Sequence, residues 1–414
     1  MLALTVVLSA TLLAQSPPGA RPAATGTFDP ARAAVIDRAL QRYVDTDRVA
    51  GIVALVMQDG QVVYEKAFGW ADKEAGRRMT TDTIFRIASQ TKALTSAAIM
   101  QLIEEGLLTL TTRVSTLIPT FAQTSVAVTK DGATTNVPAR RPITVRDLLT
   151  HTAGISYGTD APVAAMYREK GLGPAAGFGW YTADKDEPVC DTMERLGTLP
   201  FVAQPGESWV YGYNTDILGC LVEKASGKTL DAFIRERILT PLAMKDTQFF
   251  LPAAQKDRLA AVYASADGKY VRAPDGARGQ GHYVDGPRRN FAGGAGLLST
   301  ARDYARFLEA LRRGGTLDGA RVLSPLSVML MSTNQVGNLH STAGLGFGLG
   351  FQTTDRFGAN GMSHEGAFGW GGAYGTNYRV DPSARLVMTL MIQLIPNATD
   401  IQQVFPSVVY QALR

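Results

Sequence analysis

Two serines in this chain stand where a hydroxyl could be made nucleophilic. Ser89-Gln90-Thr91-Lys92 follows the β-like run Thr83-Ile84-Phe85-Arg86-Ile87-Ala88 and opens a segment of helical periodicity. At i and i+3 on a helix, two side chains share a face about 4.5 Å apart along the axis. A serine hydroxyl is a poor nucleophile until a neighbouring base takes its proton, and a desolvated lysine can be that base. The N–H groups and positive dipole end of a helix start also suit a developing oxyanion. Taken alone, the same four residues also describe a serine cap beside an exposed lysine. The second serine lies in Gly154-Ile155-Ser156-Tyr157-Gly158, a match to the G-x-S-x-G nucleophile elbow. That elbow needs a strand before the serine and a helix directly after it. Residues 144–150 read instead as a short capped helix, and Thr159-Asp160-Ala161-Pro162 breaks the chain, so Ser156 reads as part of a turn.

Other chemistries find no support. Gly227-Lys228-Thr229 lacks the first glycine of a phosphate-binding loop, since Val222 stands there. The glycines from Gly344 to Gly350 alternate with apolar residues, the pattern of a strand whose bare face meets another surface closely. His364-Glu365 has no second histidine four residues on, and neither a metal nor a cofactor is expected. The formal net charge of +4, with no basic run interleaved with aromatics, excludes nucleic acid as a partner. A charged fraction of 19% beside a hydrophobic fraction of 45% excludes disorder as the main state. Two cysteines exclude a disulfide-stapled scaffold and a cysteine-built zinc cage. Cys220 falls in an apolar helical pattern, and a free, buried thiol is the expected state of it and of Cys190.

These residues need elements to position them. Residues 30–47 read as a helix. Ile52 to Met57 and Val62 to Phe68 flank Asp59-Gly60, a strong hairpin signal. A second hairpin is expected from Tyr374 to Val380 and Leu386 to Ile392, and a closing helix from about 400 to 413. Between these ends, helices are expected at 89–105 (with its apolar residues on one side), 215–225 and 230–238, and a long polar loop at 265–290. Strands at both ends around a helical middle imply one sheet built from both termini. Met1 to Ala14 is uncharged and apolar but too short to span a bilayer. It reads as the core of a secretory signal without the usual basic start. Residues 1–20 are therefore expected to be a signal peptide and 21–29 a linker, on an exported, periplasmic or secreted protein with no stable membrane span.

Context then decides the Ser89 reading. Pro205-Gly206-Glu207-Ser208-Trp209-Val210-Tyr211-Gly212-Tyr213 places a tyrosine on a loop at a helix entrance, and Gly369-Trp370-Gly371-Gly372-Ala373-Tyr374-Gly375-Thr376 leads into a strand. Serine and lysine at a helix start, then a loop tyrosine, then a Gly-rich strand is the order of the penicillin-recognising serine hydrolases. From about residue 30 to 413 the chain resembles the class C β-lactamase-like superfamily, and within it the family VIII carboxylesterases. Leu148-Leu149-Thr150-His151-Thr152-Ala153-Gly154, Ser226-Gly227-Lys228 and residues 293–300 add to the likeness.

The resemblance implies an α+β fold of the β-lactamase/transpeptidase kind. Residues 30–85 and 291–414 would form an antiparallel sheet flanked by helices, and 86–290 an inserted, mainly helical domain, with the site in the cleft between them. It further implies Ser89 as the acylated nucleophile, Lys92 as its base partner and Tyr211 as proton shuttle, with Tyr213 the alternative tyrosine. The backbone N–H groups of Ser89 and Ala373 would form the oxyanion hole, and Trp370, Gly371, Gly372 and Tyr213 would contact substrate. His151 is expected to be structural and His364 to be a candidate for lining the cleft. His282 and His340 carry no signal, and Arg289 and Arg379 stay unassigned.

Two departures bear on the substrate. Lactam-cleaving relatives carry Tyr-x-Asn, whereas this chain reads Tyr211-Gly212-Tyr213, with Asn214 one place late. Their Lys-Thr-Gly reads here Trp370-Gly371-Gly372. Loss of the amide and of the cation favours a neutral ester over an anionic lactam. The expectation is thus a serine esterase acting on a small-molecule ester. The alternatives are a β-lactamase, D,D-peptidase or D-aminopeptidase with the same residues, an acyltransferase, and a non-catalytic binding protein on this fold.

Overall fold

Asp59 and Gly60 both take positive φ, 52° and 82°, the two-residue turn whose twist matches that of the strands it joins. The computed structural model describes residues 26–173, 185–266, 269–276 and 279–414, so the expected signal segment lies outside the described residues. Around that turn run β1 (Gly51–Gln58), β2 (Gln61–Asp72) and β3 (Arg77–Arg78); from the far end of the chain come β4 (Leu345–Phe347), β5 (Gln352–Thr354), β6 (Phe368–Gly371), β7 (Asn377–Asp381) and β8 (Leu386–Met391). They form one eight-stranded sheet in the order β4-β5-β6-β7-β8-β1-β2-β3, antiparallel throughout. The two chain ends join at β1 and β8, with Val53 opposite Met391.

Helices cover both faces: α1 (Ala33–Asp45), α2 (Thr91–Glu104), α3 (Val145–Leu149), α4 (Val189–Leu196), α5 (Asn214–Ser226), α6 (Ala301–Arg312) and α7 (Ile401–Tyr410) are those that matter here. Every residue of β1 is buried, because its alternating side chains serve two cores. Ile52, Ala54 and Val56 meet Ile36 and Leu40 of α1 and Ile401 and Phe405 of α7. Val53, Leu55 and Met57 belong to the larger core with Phe307 and Leu308 of α6. That core continues into the helical middle, where α2 is its axis. The expected one-sided apolar pattern of α2 gives way to burial of every residue from Thr91 to Leu102, since protein surrounds the helix. Among the described residues, no helix is long and apolar enough to cross a membrane.

Three local readings need correction. The expected loop at 265–290 begins as a hairpin, Tyr263–Ala266 with Lys269–Arg272, docked in parallel on Leu394–Ile395. A further hairpin, Ser125–Lys130 with Ala133–Pro138, interrupts the helical middle. In the Gly344 to Gly350 stretch only β4 pairs. Even so, Cβ atoms added at Gly348 and Gly350 would meet Met331 O at 2.0 Å and Ser96 Oγ at 2.4 Å, so the bare positions do face other surfaces closely.

Cys190 and Cys220, expected free, are bonded, with an S–S distance of 2.06 Å. Burial of Cys220 suits either state; what brings the sulfurs together is α4 docking Val189, Met193 and Leu196 into the core beside α5. Closing a loop across 30 residues of separation removes denatured-chain entropy of about 3 kcal/mol. The unreduced, denatured protein should therefore show no titratable thiol, and Cys190→Ala/Cys220→Ala should melt several degrees lower. Two free thiols would disprove the bridge.

Candidate active site

Ser89 lies in a tight single turn, Ala88–Gln90, that runs directly into α2. Ala88 before it holds φ 43°, a left-handed conformation that costs energy in a non-glycine residue and collects at functional sites. Three residues on, Lys92 is only 2% exposed. A lysine this deep needs partners for its desolvated head. Its Nζ donates to the Gly294 carbonyl at 2.7 Å, lies 3.0 Å from the Tyr157 hydroxyl and approaches Ser89 Oγ at 3.4 Å. The Tyr211 ring covers it, 4.7 Å from Nζ to the ring centre, in cation–π range.

Each partner reaches Lys92 through close backbone packing. Residues 293–296 thread between α2 and α5, where a Cβ on Gly294 would sit 2.5 Å from Asp216 Oδ2. The Gly294 N–H donates to Asp216 Oδ1 at 3.0 Å, so one residue, through the N–H on one side and the carbonyl on the other, links the buried carboxylate to the buried lysine. Burial pushes the Asp216 carboxyl up to about 6, against the pull of the Lys92 charge and the Gly294 N–H. The two tyrosine loops are pressed together, since a Cβ on Gly212 would lie 2.2 Å from the Ile155 carbonyl oxygen. The rings of Tyr157 and Tyr211 meet edge to face at 5.7 Å. The Tyr211 hydroxyl accepts from Trp370 Nε1 at 3.1 Å, which ties the loop to the end of β6.

At that end Gly372 allows the sheet to touch the turn before Ser89. A Cβ there would meet Thr376 Oγ1 at 2.2 Å and the Ile87 carbonyl oxygen at 2.5 Å. Ala373 is thereby brought beside Ser89, and among the described residues its N–H donates to no backbone carbonyl. Ser89, Tyr157, Tyr211, Trp370, Gly371, Gly372 and Ala373 all line one cavity of about 500 Å³. A groove of about 610 Å³ elsewhere, with Arg235, Lys245, Phe250 and Phe291 among its walls, contains no serine, tyrosine or histidine among the described residues.

Other expected residues lie elsewhere. Tyr213, expected against substrate, is buried at 1% exposure, and its hydroxyl accepts from the Gly173 N–H at 3.0 Å. It starts α5, and the turn there carries its ring away from the cavity. His364 does not line the cleft; its Nδ1 lies 2.9 Å from the buried Asp381 carboxylate. Ser156 Oγ accepts from the Gly158 N–H at 3.1 Å inside a turn. Asn214 Nδ2 donates to His151 Nδ1 at 2.9 Å and also contacts the Ile155 and Val210 carbonyls. Burial, with the Lys92 charge adding to it, drives His151 well below its usual pKa. The neutral ring is thus a structural acceptor.

Three contributors escaped the sequence reading: Tyr157, Asp216 and Gly294. In Gly154-Ile155-Ser156-Tyr157-Gly158 it is the tyrosine beside the serine, and not the serine, whose side chain reaches Lys92.

A sequence profile of the Beta-lactamase family matches residues 36–405. Esterase EstB of Burkholderia gladioli is 33% identical over 379 residues, covering 86% of this chain and 88% of its own. Lovastatin esterase of Penicillium rubens is 32% identical over 310 residues, 73% of each chain. Among solved structures, EstCE1, a hydrolase with promiscuous acyltransferase activity, superposes with a TM-score of 0.77 at 26% identity, over 92% of this chain and 98% of its own.

The Asp216 environment has a measurable consequence. Its carboxyl ordinarily titrates near 3.8 and in the fold near 6, so between those values the folded state holds a proton that the unfolded chain lacks. Stability from this group therefore rises as pH falls from about 6 toward 3.8. Melting temperatures of wild type and Asp216→Asn, measured from pH 7 to 4.5, should diverge in favour of wild type as pH falls. Parallel curves would show that the carboxyl titrates normally.

Proposed function

The chain belongs to the Beta-lactamase family of serine hydrolases, and from that premise we propose that it cleaves carboxylic esters through an acyl-enzyme on Ser89. It is carboxylesterase-like, in keeping with its esterase relatives. The observation that carries the mechanism is the 3.4 Å approach of Lys92 Nζ to Ser89 Oγ, in a cavity walled by Trp370.

Ser89 Oγ attacks the ester carbonyl as Lys92, acting in its unprotonated amine form, takes its proton. The oxyanion that forms is stabilised by the backbone N–H groups of Ser89 and Ala373. Collapse expels the alcohol, which leaves with a proton relayed from Lys92 through Tyr211. Water then attacks the acyl-enzyme along the reverse path, releasing the acid and restoring Ser89. Tyr157 holds the Lys92 amine toward the serine, and the Trp370 indole fixes the rotation of the Tyr211 hydroxyl. The preference for a neutral ester over an anionic lactam rests on apolar Trp370 standing where the lactam-cleaving relatives carry lysine, and on Asn214 being spent on His151. An alcohol in place of water would turn the same intermediate to acyl transfer, the activity described for EstCE1. Export fits the Cys190–Cys220 bridge, since disulfides persist in oxidising compartments.

Initial rates on p-nitrophenyl butyrate test the assignment. Ser89→Ala and Lys92→Ala should each lose about 10³-fold or more. Tyr211→Phe should lose about 10²-fold in kcat, and Ser156→Ala should stay within about twofold, as a substitution away from the reacting atoms. An active Ser89→Ala beside a dead Ser156→Ala would move the site to the other serine.

A further inference from the structure

The cavity that holds Ser89 does not end at the nucleophile. β6 pairs with β5 only through Phe368 and Gly369, so from Trp370 onward its edge is open, and the cavity passes round it to the opposite sheet face. There the register sets Gln352, Gly369 and Arg379 side by side across three strands, and Gly371 beside Asn377. The two β6 positions are glycines, which leaves a bare floor. Asn360, from the loop before β6, and Gln402, from the first turn of α7, complete the lining of this lobe. The aromatic part of the cavity is confined to the Ser89 end, at Tyr157, Tyr211 and Trp370; Tyr378 turns its ring into the core.

The hydrogen-bonding capacity of the lobe is mixed, and among the described residues its lining side chains other than Arg379 are uncharged. Gln402 Nε2 donates to the Gly375 and Thr376 carbonyls at 3.0 and 3.3 Å, which leaves its Oε1 as an acceptor. Gln352 Nε2 is engaged with His340 Nε2 at 2.9 Å, which likewise leaves an acceptor. Asn360 Oδ1 is taken by Arg379 Nη2 at 2.8 Å, which leaves the amide's two donors. The Asn377 amide has no partner among the described residues, so it offers both. Arg379 spends its Nη1 and Nη2 donors on the Asn360 carbonyls and Ser363 Oγ, all neutral groups. Alternating donors and acceptors match hydroxyl groups, each of which is both. An alkyl group would leave these amides unpaired, and that is how a site built for hydroxyls rejects the analogue lacking them.

We propose that this lobe binds a hydroxyl-rich, uncharged alcohol moiety, so that the preferred substrate is an acylated sugar or polyol whose acyl chain lies against Tyr211 and Trp370. This rests on the ester reading above and adds the substrate class to it.

The experiment compares kcat/KM for glucose 6-butyrate with that for cyclohexylmethyl butyrate, which keeps a six-membered ring but has no hydroxyls. Wild type should favour the sugar ester by about 10²-fold or more. Asn377→Leu and Asn377→Ala, at a side chain with no hydrogen-bond partner among the described residues, should each lower that ratio about fivefold, the worth of a lost neutral hydrogen bond. Leucine also narrows the lobe, whereas alanine only removes the amide, so a fall with both variants ties the effect to hydrogen bonding. A wild-type ratio near one, or a ratio unmoved by both variants, overturns the proposal. So does a preference for the butyryl ester of 3-hydroxybutyrate over the sugar ester, which would make the lobe an anion site. Activity on p-nitrophenyl butyrate without sugar preference sinks only this inference. Absence of all ester hydrolysis sinks the ester reading, and calorimetric titration of Ser89→Ala with glucose 6-butyrate then decides the lobe separately: heat of binding supports it and none overturns it.

Discussion

The buried amine of Lys92 is the constraint from which the rest of the site follows. A lysine head at 2% exposure is tolerated only where fixed acceptors and rings replace water. Here those replacements come from chain segments far apart in sequence: Gly294 by its carbonyl, Tyr157 by its hydroxyl, Tyr211 by its ring face and Ser89 by its Oγ. Satisfying one nitrogen therefore brings α2, the two tyrosine loops and the 291–297 segment into a single arrangement. Ser89 has its base in reach because the core could not otherwise have accommodated that base.

The second requirement is close approach. Gly294, Gly212 and Gly372 each sit where a methyl group would collide with a neighbour at 2.2 to 2.5 Å, and these close approaches hold the segments around the site together. Gly372 seats the end of β6 on the carbonyl of Ile87, Gly212 locks the loops of Tyr211 and Tyr157, and Gly294 couples Asp216 to Lys92. Side-chain chemistry at the site thus depends on positions that have no side chain. The same economy recurs at Gly369 and Gly371, where empty positions on β6 make room beside the nucleophile.

Much of this was legible in the residues. Asp59-Gly60 marks its hairpin because few other pairs adopt two positive φ values cheaply, and Ser-x-x-Lys, the Tyr211 loop and Trp370-Gly371-Gly372 carry enough local pattern to be found. These residues do converge on one cavity. What was not legible depended on tertiary placement. The burial that makes Cys220 look like an ordinary core residue is the same whether or not α4 brings Cys190 to it. The polar composition of 263–272 hides a hairpin whose pairing comes from Leu394 and Ile395 rather than from its own periodicity. Tyr213 and Tyr211, two residues apart, look interchangeable until the start of α5 turns one inward and leaves the other on the cavity wall.

The union of β1 with β8 has a consequence for how the molecule comes into being. Val53 waits for Met391, and Phe28 for Leu413, so β1, an interior strand of the sheet, keeps one edge unpaired until nearly the whole chain has been made. Contacts this distant along the chain are slow to form, and an open, largely apolar strand is a template for unwanted pairing in the meantime. Successful synthesis then depends on how long β1 stays alone before its partner strand near the far end of the chain arrives.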